Sequence, residues 1–345
     1  MLDDLKLIHE RDAQDTLGIA AGQWQQLNHA FLPGGNTTFG PINNIVYAAM
    51  GGSAMAATMI MSWPKLPKPF EVVRDYDLPE YVGTDTLVIL SSYSGNTEET
   101  LSALKQAEAK GAQIAIVTAG GALQKIAEER SYLLMQLPQT VFARCGTFAN
   151  FKAVLEILAI AGVLGSDDFA EELNKTAIFL EVASKAWLPD VATSKNPAKQ
   201  LAQELLGKSV VIYSGSKMFP AAYKWKLGFN ENAKQLAWVN QLPEYNHNEL
   251  TGWTKQPVDK PYAVIDLKSS FEHERVLRRF EVSSRLLSGV RPQAIEVNAE
   301  GENVLQHLAW LIVFGDFVGL YLAMLNGLNP VPLEMVDKLK QALSE

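Results

Sequence analysis

The stretch that most restricts the fold is residues 86–104, TLVILSSYSGNTEETLSAL. Residues 87–90 form an unbroken apolar run with β-branched members, the composition of a strand covered on both faces. The loop that follows, Ser91-Ser92-Tyr93-Ser94-Gly95-Asn96-Thr97, is small and rich in hydroxyls, and Glu98-Glu99 then supplies an acidic first helical turn. Such a strand–loop–helix unit points unpaired backbone N–H groups and hydroxyls at one place. An anion set there gains roughly 0.3–1 kcal/mol from an exposed helix terminus, and up to about 2 kcal/mol where it is partly buried. Several converging donors can hold a phosphate without a lysine, although the same residues also serve as ordinary helix caps.

The unit recurs along the chain. Residues 44–50 read as a strand, Gly51-Gly52-Ser53 as a small loop and 54–62 as a helix; further strands fall at 71–74, 113–118 and 132–137, with helices at 98–110, 122–129 and 150–162. The second half has strands at 208–213, 262–267 and 293–297 and helices at 220–239, 272–288 and 304–325, with Ser214-Gly215-Ser216 after its first strand. Strands alternating with helices of this length predict parallel sheets with helices on both faces. The expected class is therefore α/β with two doubly wound domains: a helical lead-in at 1–43, a first domain at 44–165, a helical connector at 166–195 and a second domain at 196–345. In the lead-in, Leu17, Ala20, Trp24, Leu27 and Phe31 recur at helical spacing and predict one buried face. Ligands of such sheets lie outside the carboxyl ends of the strands, where both small-residue loops of the first half fall.

Composition narrows the partners. A net charge of −8 leaves no basic surplus for a nucleic-acid backbone, so no nucleic-acid partner is expected. The single cysteine, Cys145, excludes an internal disulfide framework, and its place beside Arg144 reads as that of a bystander. The first residues, MLDDLKLIHERDAQD, are charged and amphipathic rather than a signal core, which predicts a cytoplasmic protein. Residues 304–325 are long and apolar enough to span a bilayer, but Asp316 near the centre would cost about 2.5–3.5 kcal/mol there. A buried interior helix, and no membrane, is the expectation. Trp225, Trp238 and Trp310 sit at helical positions and are expected in the core, and His9, His29, His273 and His307 show no ligand spacing.

Two segments look unlike scaffold. Asn230-Glu231-Asn232 lies inside a predicted helix although Asn is a weak helix former. Pro243-Glu244-Tyr245-Asn246-His247-Asn248-Glu249 packs carboxylates, carboxamides and a histidine into one loop. A carboxylate and an imidazole are what an enolisation uses: one takes a proton beside a carbonyl and the other moves protons at oxygen. With a phosphate cradle, these parts point to a phosphosugar aldose–ketose isomerase needing no cofactor or metal, since protein donors can hold the enediolate.

These segments, with Met50-Gly51-Gly52-Ser53-Ala54 and Asn230-Glu231-Asn232-Ala233-Lys234, resemble the bifunctional phosphoglucose/phosphomannose isomerases, built from two flavodoxin-like sugar isomerase (SIS) domains. The resemblance runs from about residue 45 to the end of the chain. It implies that Gly52, Ser53, Ser92, Ser94 and Thr97 hold the phosphate of a hexose substrate and that Arg144, in Phe142-Ala143-Arg144, stabilises the enediolate. It further implies that Glu231 moves the proton between C1 and C2 and that His247 assists ring opening from the neighbouring subunit of a homodimer. The family also uses a lysine of its last helix. Lys340 follows Val336 by four residues and precedes Leu343 by three, at the edge of the apolar stripe, whereas Lys338 faces away; Lys340 is the expected one.

The chain departs from the family at Ala143-Arg144-Cys145, where Pro-Arg-Ala is usual, and at Asn329-Pro330-Val331-Pro332, where Asp-Pro-Thr-Pro is frequent and its lost hydroxyl bears on mannose 6-phosphate. The alternatives are a non-catalytic phosphosugar sensor and an amino-sugar phosphate isomerase. A sensor of this kind often carries a basic helix-turn-helix, which is not visible here.

Overall fold

A computed structural model describes residues 1–139, 143–165, 167–255 and 262–343. They form two compact units, Gly22–Leu180, and Met1–Ala21 together with Glu181–Glu345. The lead-in is divided between them. Helices α1 (Leu5–Arg11) and α2 (Thr16–Ala21) belong with the C-terminal unit, while Leu27 and Phe31 are buried in the other. Within the first part, the Asp12 carboxylate accepts from the N–H groups of Thr16 and Leu17 and starts α2 there, so α1 and α2 are separate helices rather than one.

The unit Gly22–Leu180 is built in the order β1 (Asn44–Ala48), α3 (Met55–Ser62), β2 (Phe70–Val73), β3 (Thr86–Ser91), α4 (Glu98–Ala109), β4 (Gln113–Thr118), α5 (Gly121–Arg130), β5 (Leu133–Gln136) and α6 (Thr147–Ile160). Its strands pair in parallel in the order β2-β1-β3-β4-β5. Every residue of β3 is buried, as its apolar run requires. Helix α7 (Asp167–Ala183) follows.

The C-terminal unit repeats this grammar with α8 (Pro197–Leu205), β6 (Ser209–Ser214), α9 (Phe219–Glu231), β7 (Ala237–Gln241), α10 (Glu249–Gly252), β8 (Tyr262–Lys268), α11 (Glu274–Leu286), β9 (Ile295–Asn298), α12 (Val304–Leu325) and α13 (Glu334–Leu343). Its parallel order is β7-β6-β8-β9, the same winding as in the first unit. In both sheets the order reverses beside the first strand, and the loops after the first and third strands flank the resulting crevice. Helix α12 is an interior helix: its apolar stretch is buried, and Lys224 of α9 donates to Asp316 within it.

One predicted element is corrected. The helix expected over 220–239 ends at Glu231, and residues 237–241 pair with β6 as strand β7. The cause is local. Asn230 and Asn232 support a helix poorly, and Lys234 adopts a left-handed φ of 52° that ends it. Trp238 is therefore not core but sits 49% exposed on an edge strand, while Trp225 and Trp310 are buried as expected.

Candidate active site

In the unit Gly22–Leu180 the loops after β1 and β3 lie side by side, because those strands are neighbours, with Ala48 opposite Leu90. The N–H of Tyr93 donates to Ser53 Oγ at 3.2 Å, joining the two loops. Within the second loop Ser92 Oγ lies 2.7 Å from Thr97 Oγ1 and 3.4 Å from Ser94 Oγ, and accepts from the Gly95 N–H at 3.1 Å. The loop can turn this tightly because Gly95 takes φ +69°, and a Cβ there would lie 1.8 Å from the Gly120 carbonyl oxygen. Thr97 stands at the N-cap position of α4 in extended conformation with its hydroxyl paired to Ser92 rather than to the helix, so the hydroxyls gather beside the first amides of α4. Ser92 is buried and Ser94 exposed, so the cluster opens to solvent on one side.

Below it, Asn150 of α6 donates to the Ser53 carbonyl at 3.1 Å, and Tyr47 donates to the same carbonyl at 2.9 Å. Burial pushes the Tyr47 hydroxyl far above its ordinary range, which keeps it a donor. Arg144 is also here: its Cα lies 3.6 Å from where a Gly52 Cβ would be, and its side chain is buried. The structure thus gathers Gly52, Ser53, Ser92, Ser94, Thr97 and Arg144 at one switch point; Phe142 lies outside the described residues. Asn150 and Tyr47 were not foreseen, since neither stands in a motif.

The equivalent place in the C-terminal unit is filled. There the carboxylate of Glu272, from the loop after β8, sits on Gly215, where a Cβ would lie 2.2 Å from its Cδ. Glu272 Oε1 accepts from the Met218 N–H at 3.0 Å, just before α9. Burial raises the Glu272 carboxyl, opposed by the N–H groups of Met218 and Lys217.

Glu231 is the last residue of α9 and half-buried. A carboxylate at the negative end of a helix dipole does not serve the helix. Lys234 offsets it by donating to the Glu231 carbonyl at 2.8 Å. Glu231 lines a cavity of about 690 Å³ with Asn230, Lys234, Asn329, Pro332 and Glu334, a volume suited to a small ligand. Lys340 lies further along α13, exposed, without a hydrogen bond or ion pair among the described residues, and outside that lining. The apolar side of α13 is exposed too, at Met335, Val336, Leu339 and Leu343, and the helix has no buried residue to set Lys340 apart from Lys338.

His247 ends a short 3₁₀ turn, Glu244–His247, after β7. Its neighbours are tied down. Asn248 donates to Glu244 at 2.9 Å; Tyr245 is buried against Tyr213 with ring centroids 4.3 Å apart; Asn246 donates to Ser283 at 2.8 Å and accepts from Arg279 at 3.2 Å. The imidazole is exposed and makes no hydrogen bond among the described residues. The turn presents one free imidazole on a fixed base.

Glu231 and His247 of one chain flank opposite ends of β7. The Val210 N–H donates to the Leu236 carbonyl where β6 and β7 begin, and the Leu242 N–H to the Ser214 carbonyl where they end. The five residues of β7 span roughly 16 Å. Among the described residues no group of three or more His, Cys, Asp or Glu is placed to hold a metal ion.

Residues 41–163 match the SIS domain family, and residues 194–343 match the family described as bacterial phospho-glucose isomerase C-terminal SIS domain. A bifunctional phosphoglucose/phosphomannose isomerase of Caldicellulosiruptor bescii is 35% identical over 88% of this chain and 90% of its own length. A D-glucosamine-6-phosphate 4-epimerase of Sulfolobus acidocaldarius is 32% identical over 65% of this chain and 67% of its own. Among solved structures, a glucose-6-phosphate isomerase like protein from Thermus thermophilus superposes with a TM-score of 0.64 over 99% of this chain and 98% of that one; at 19% identity, that likeness speaks for the fold alone.

Proposed function

This chain belongs to the bifunctional phosphoglucose/phosphomannose isomerases, and from that premise we propose how its residues work. It is an aldose–ketose isomerase that interconverts glucose 6-phosphate, and mannose 6-phosphate, with fructose 6-phosphate through a cis-enediol. The observation that carries this reading is the pair of switch points: one is an open cluster of hydroxyls at the start of α4, the other is closed by the chain's own Glu272. The first takes the phosphate, through Gly52, Ser53, Ser92, Ser94 and Thr97.

Ring opening removes the proton of the anomeric hydroxyl and delivers one to the ring oxygen; His247 and Lys340 assist there. Glu231 then takes the proton from C2 of the open aldose. The electron pair forms the C1–C2 double bond and O1 gains the negative charge, which Arg144 stabilises. The proton of the O2 hydroxyl passes to O1, giving first the cis-enediol and then its O2 enolate; Glu231 returns its proton to C1 and O2 becomes the ketone, which completes the ketose. Protons and electrons balance within the sugar and these side chains.

Because Glu231 and His247 of one chain stand at opposite ends of β7, the imidazole at a given Glu231 is that of a second copy. The reading is therefore a cytoplasmic homodimer with shared sites, and the exposure of the free imidazole is what such sharing needs.

Deuterium exchange tests the chemistry. Wild type incubated in heavy water with glucose 6-phosphate is expected to wash deuterium into C2, and Glu231→Gln to lose roughly 10²–10⁴ in kcat while still binding fructose 6-phosphate. A sensor would leave C2 unlabelled. The Sulfolobus relative makes glucosamine 6-phosphate the competitor to include: turnover of that sugar faster than of either hexose phosphate would replace this substrate assignment.

A further inference from the structure

The turn that carries His247 is too short to hold its own shape. Glu244–His247 is a single 3₁₀ turn and α10 a single α turn, and isolated turns of this length are unstable in water. Beside the bonds of Asn246 to α11, side-chain bonding to the sheet beneath holds them, and one residue on the C-terminal side of His247 makes it. Glu249 Oε1 accepts from the Tyr213 hydroxyl at 2.6 Å, and Glu249 Oε2 accepts from Asn240 Nδ2 at 2.7 Å. Tyr213 lies one residue before the end of β6 and Asn240 one residue before the end of β7, so one carboxylate bridges two parallel strands two residues after the imidazole. Trp253 Nε1 donates in turn to the Tyr213 oxygen at 2.9 Å, which leaves the tyrosine hydrogen aimed at Glu249. Burial, followed by the Glu249 carboxylate itself, drives the Tyr213 hydroxyl far above its ordinary range, so it remains a donor. Charge-assisted bonds this short are roughly twice as strong as neutral ones.

We propose that Glu249 is the positioning residue for His247: its carboxylate, clamped by Tyr213 and Asn240, sets where the imidazole is presented to the sugar ring. The proposal rests on the reading of His247 as a ring-opening group. Glu249 itself touches no reacting atom; its effect passes through the turn. Losing the clamp therefore lowers turnover without weakening capture of the phosphate, which depends on the other unit's hydroxyls.

A double-mutant cycle in the full-length protein tests it, with kcat and KM for fructose 6-phosphate formation from glucose 6-phosphate. Glu249→Ala is expected to lower kcat by roughly 10–100-fold with KM within about twofold, less than the 10²–10⁴-fold loss expected for His247→Ala. In the His247→Ala background it is expected to lower kcat less than about twofold further. Tyr213→Phe, which keeps the buried ring and removes only the donor, is expected to show a smaller loss of the same kind and serves if Glu249→Ala does not fold. A full-sized loss that multiplies onto His247→Ala, or wild-type kcat in Glu249→Ala, overturns the positioning role alone. Wild-type kcat in His247→Ala overturns the reading of His247 and the proposal with it.

Discussion

Asp266 shows how one buried group beneath the His247 turn ties stability to pH. It pairs with Tyr213 across β6 and β8 and so shares the face that Tyr245 and Trp253 cover. It is 2% exposed. Burial raises its pKa from 3.8 to about 6, against the pull of Arg291 and Lys268 and with a small push from Glu296. The folded chain keeps the proton up to about pH 6 while the unfolded chain releases it near 3.8. Stability therefore falls as pH rises through that window and stays reduced above it, by about 3 kcal/mol at 1.36 kcal/mol per pH unit. Asp266→Asn removes the titration. Its urea midpoint is expected to match wild type near pH 4 and to exceed it increasingly up to pH 6. A difference that stays constant from pH 4 to 7 would show that the carboxyl titrates alike in both states.

At the scale of elements, the turn from β6 to α9 is the informative one. The Glu272 carboxylate, held by the Met218 N–H, lies where a Gly215 Cβ would be. Gly215→Ala is expected to cost about 1–3 kcal/mol in urea unfolding, as overpacking does, and Glu272→Ala in the same chain to recover most of that loss; a cost under about 0.5 kcal/mol would mean the carboxylate is elsewhere. Sequence reading saw Ser214-Gly215-Ser216 as one more small turn and could not see its filling, because Glu272 arrives from the loop after β8. The same limit hid β7. Residues 219–231 carry helix-compatible residues straight toward an edge strand, and the only local warnings were Asn230 and Asn232. What the sequence did make legible was whatever is local: the strand–loop–helix units, the hydroxyl cluster from Ser92 to Thr97, and the interior helix, whose predicted bounds 304–325 are those of α12. The clamp on Glu249 was illegible for the same reason as Glu272, since its partners, Tyr213 and Asn240, come from strands the motif does not include.

At the scale of the whole molecule, the proposed sharing of a site between two chains rests on the topology of the C-terminal unit. Glu231 ends the helix that runs back along the sheet, and His247 follows the strand that returns, so a strand's length separates them within a chain. Two inactive variants therefore have opposite defects. In a mixed dimer of Glu231→Gln and His247→Ala chains, one site combines both lesions. The other combines the intact Glu231 of the second variant with the intact His247 of the first. Random reassembly makes half of the dimers mixed, and each of those has one sound site of two. Mixing the variants in equal amounts, after dissociation and reassociation, is thus expected to restore about a quarter of wild-type isomerisation, from parents at least about a hundredfold down in kcat. If each chain supplied both groups to its own site, no mixture would exceed the weighted average of the parents, since every site would keep one lesion. The assay reads assembly and chemistry together, so size-exclusion chromatography of the mixture is run beside it: dimers that exchange subunits without regaining activity would place Glu231 and His247 at one site within a single chain.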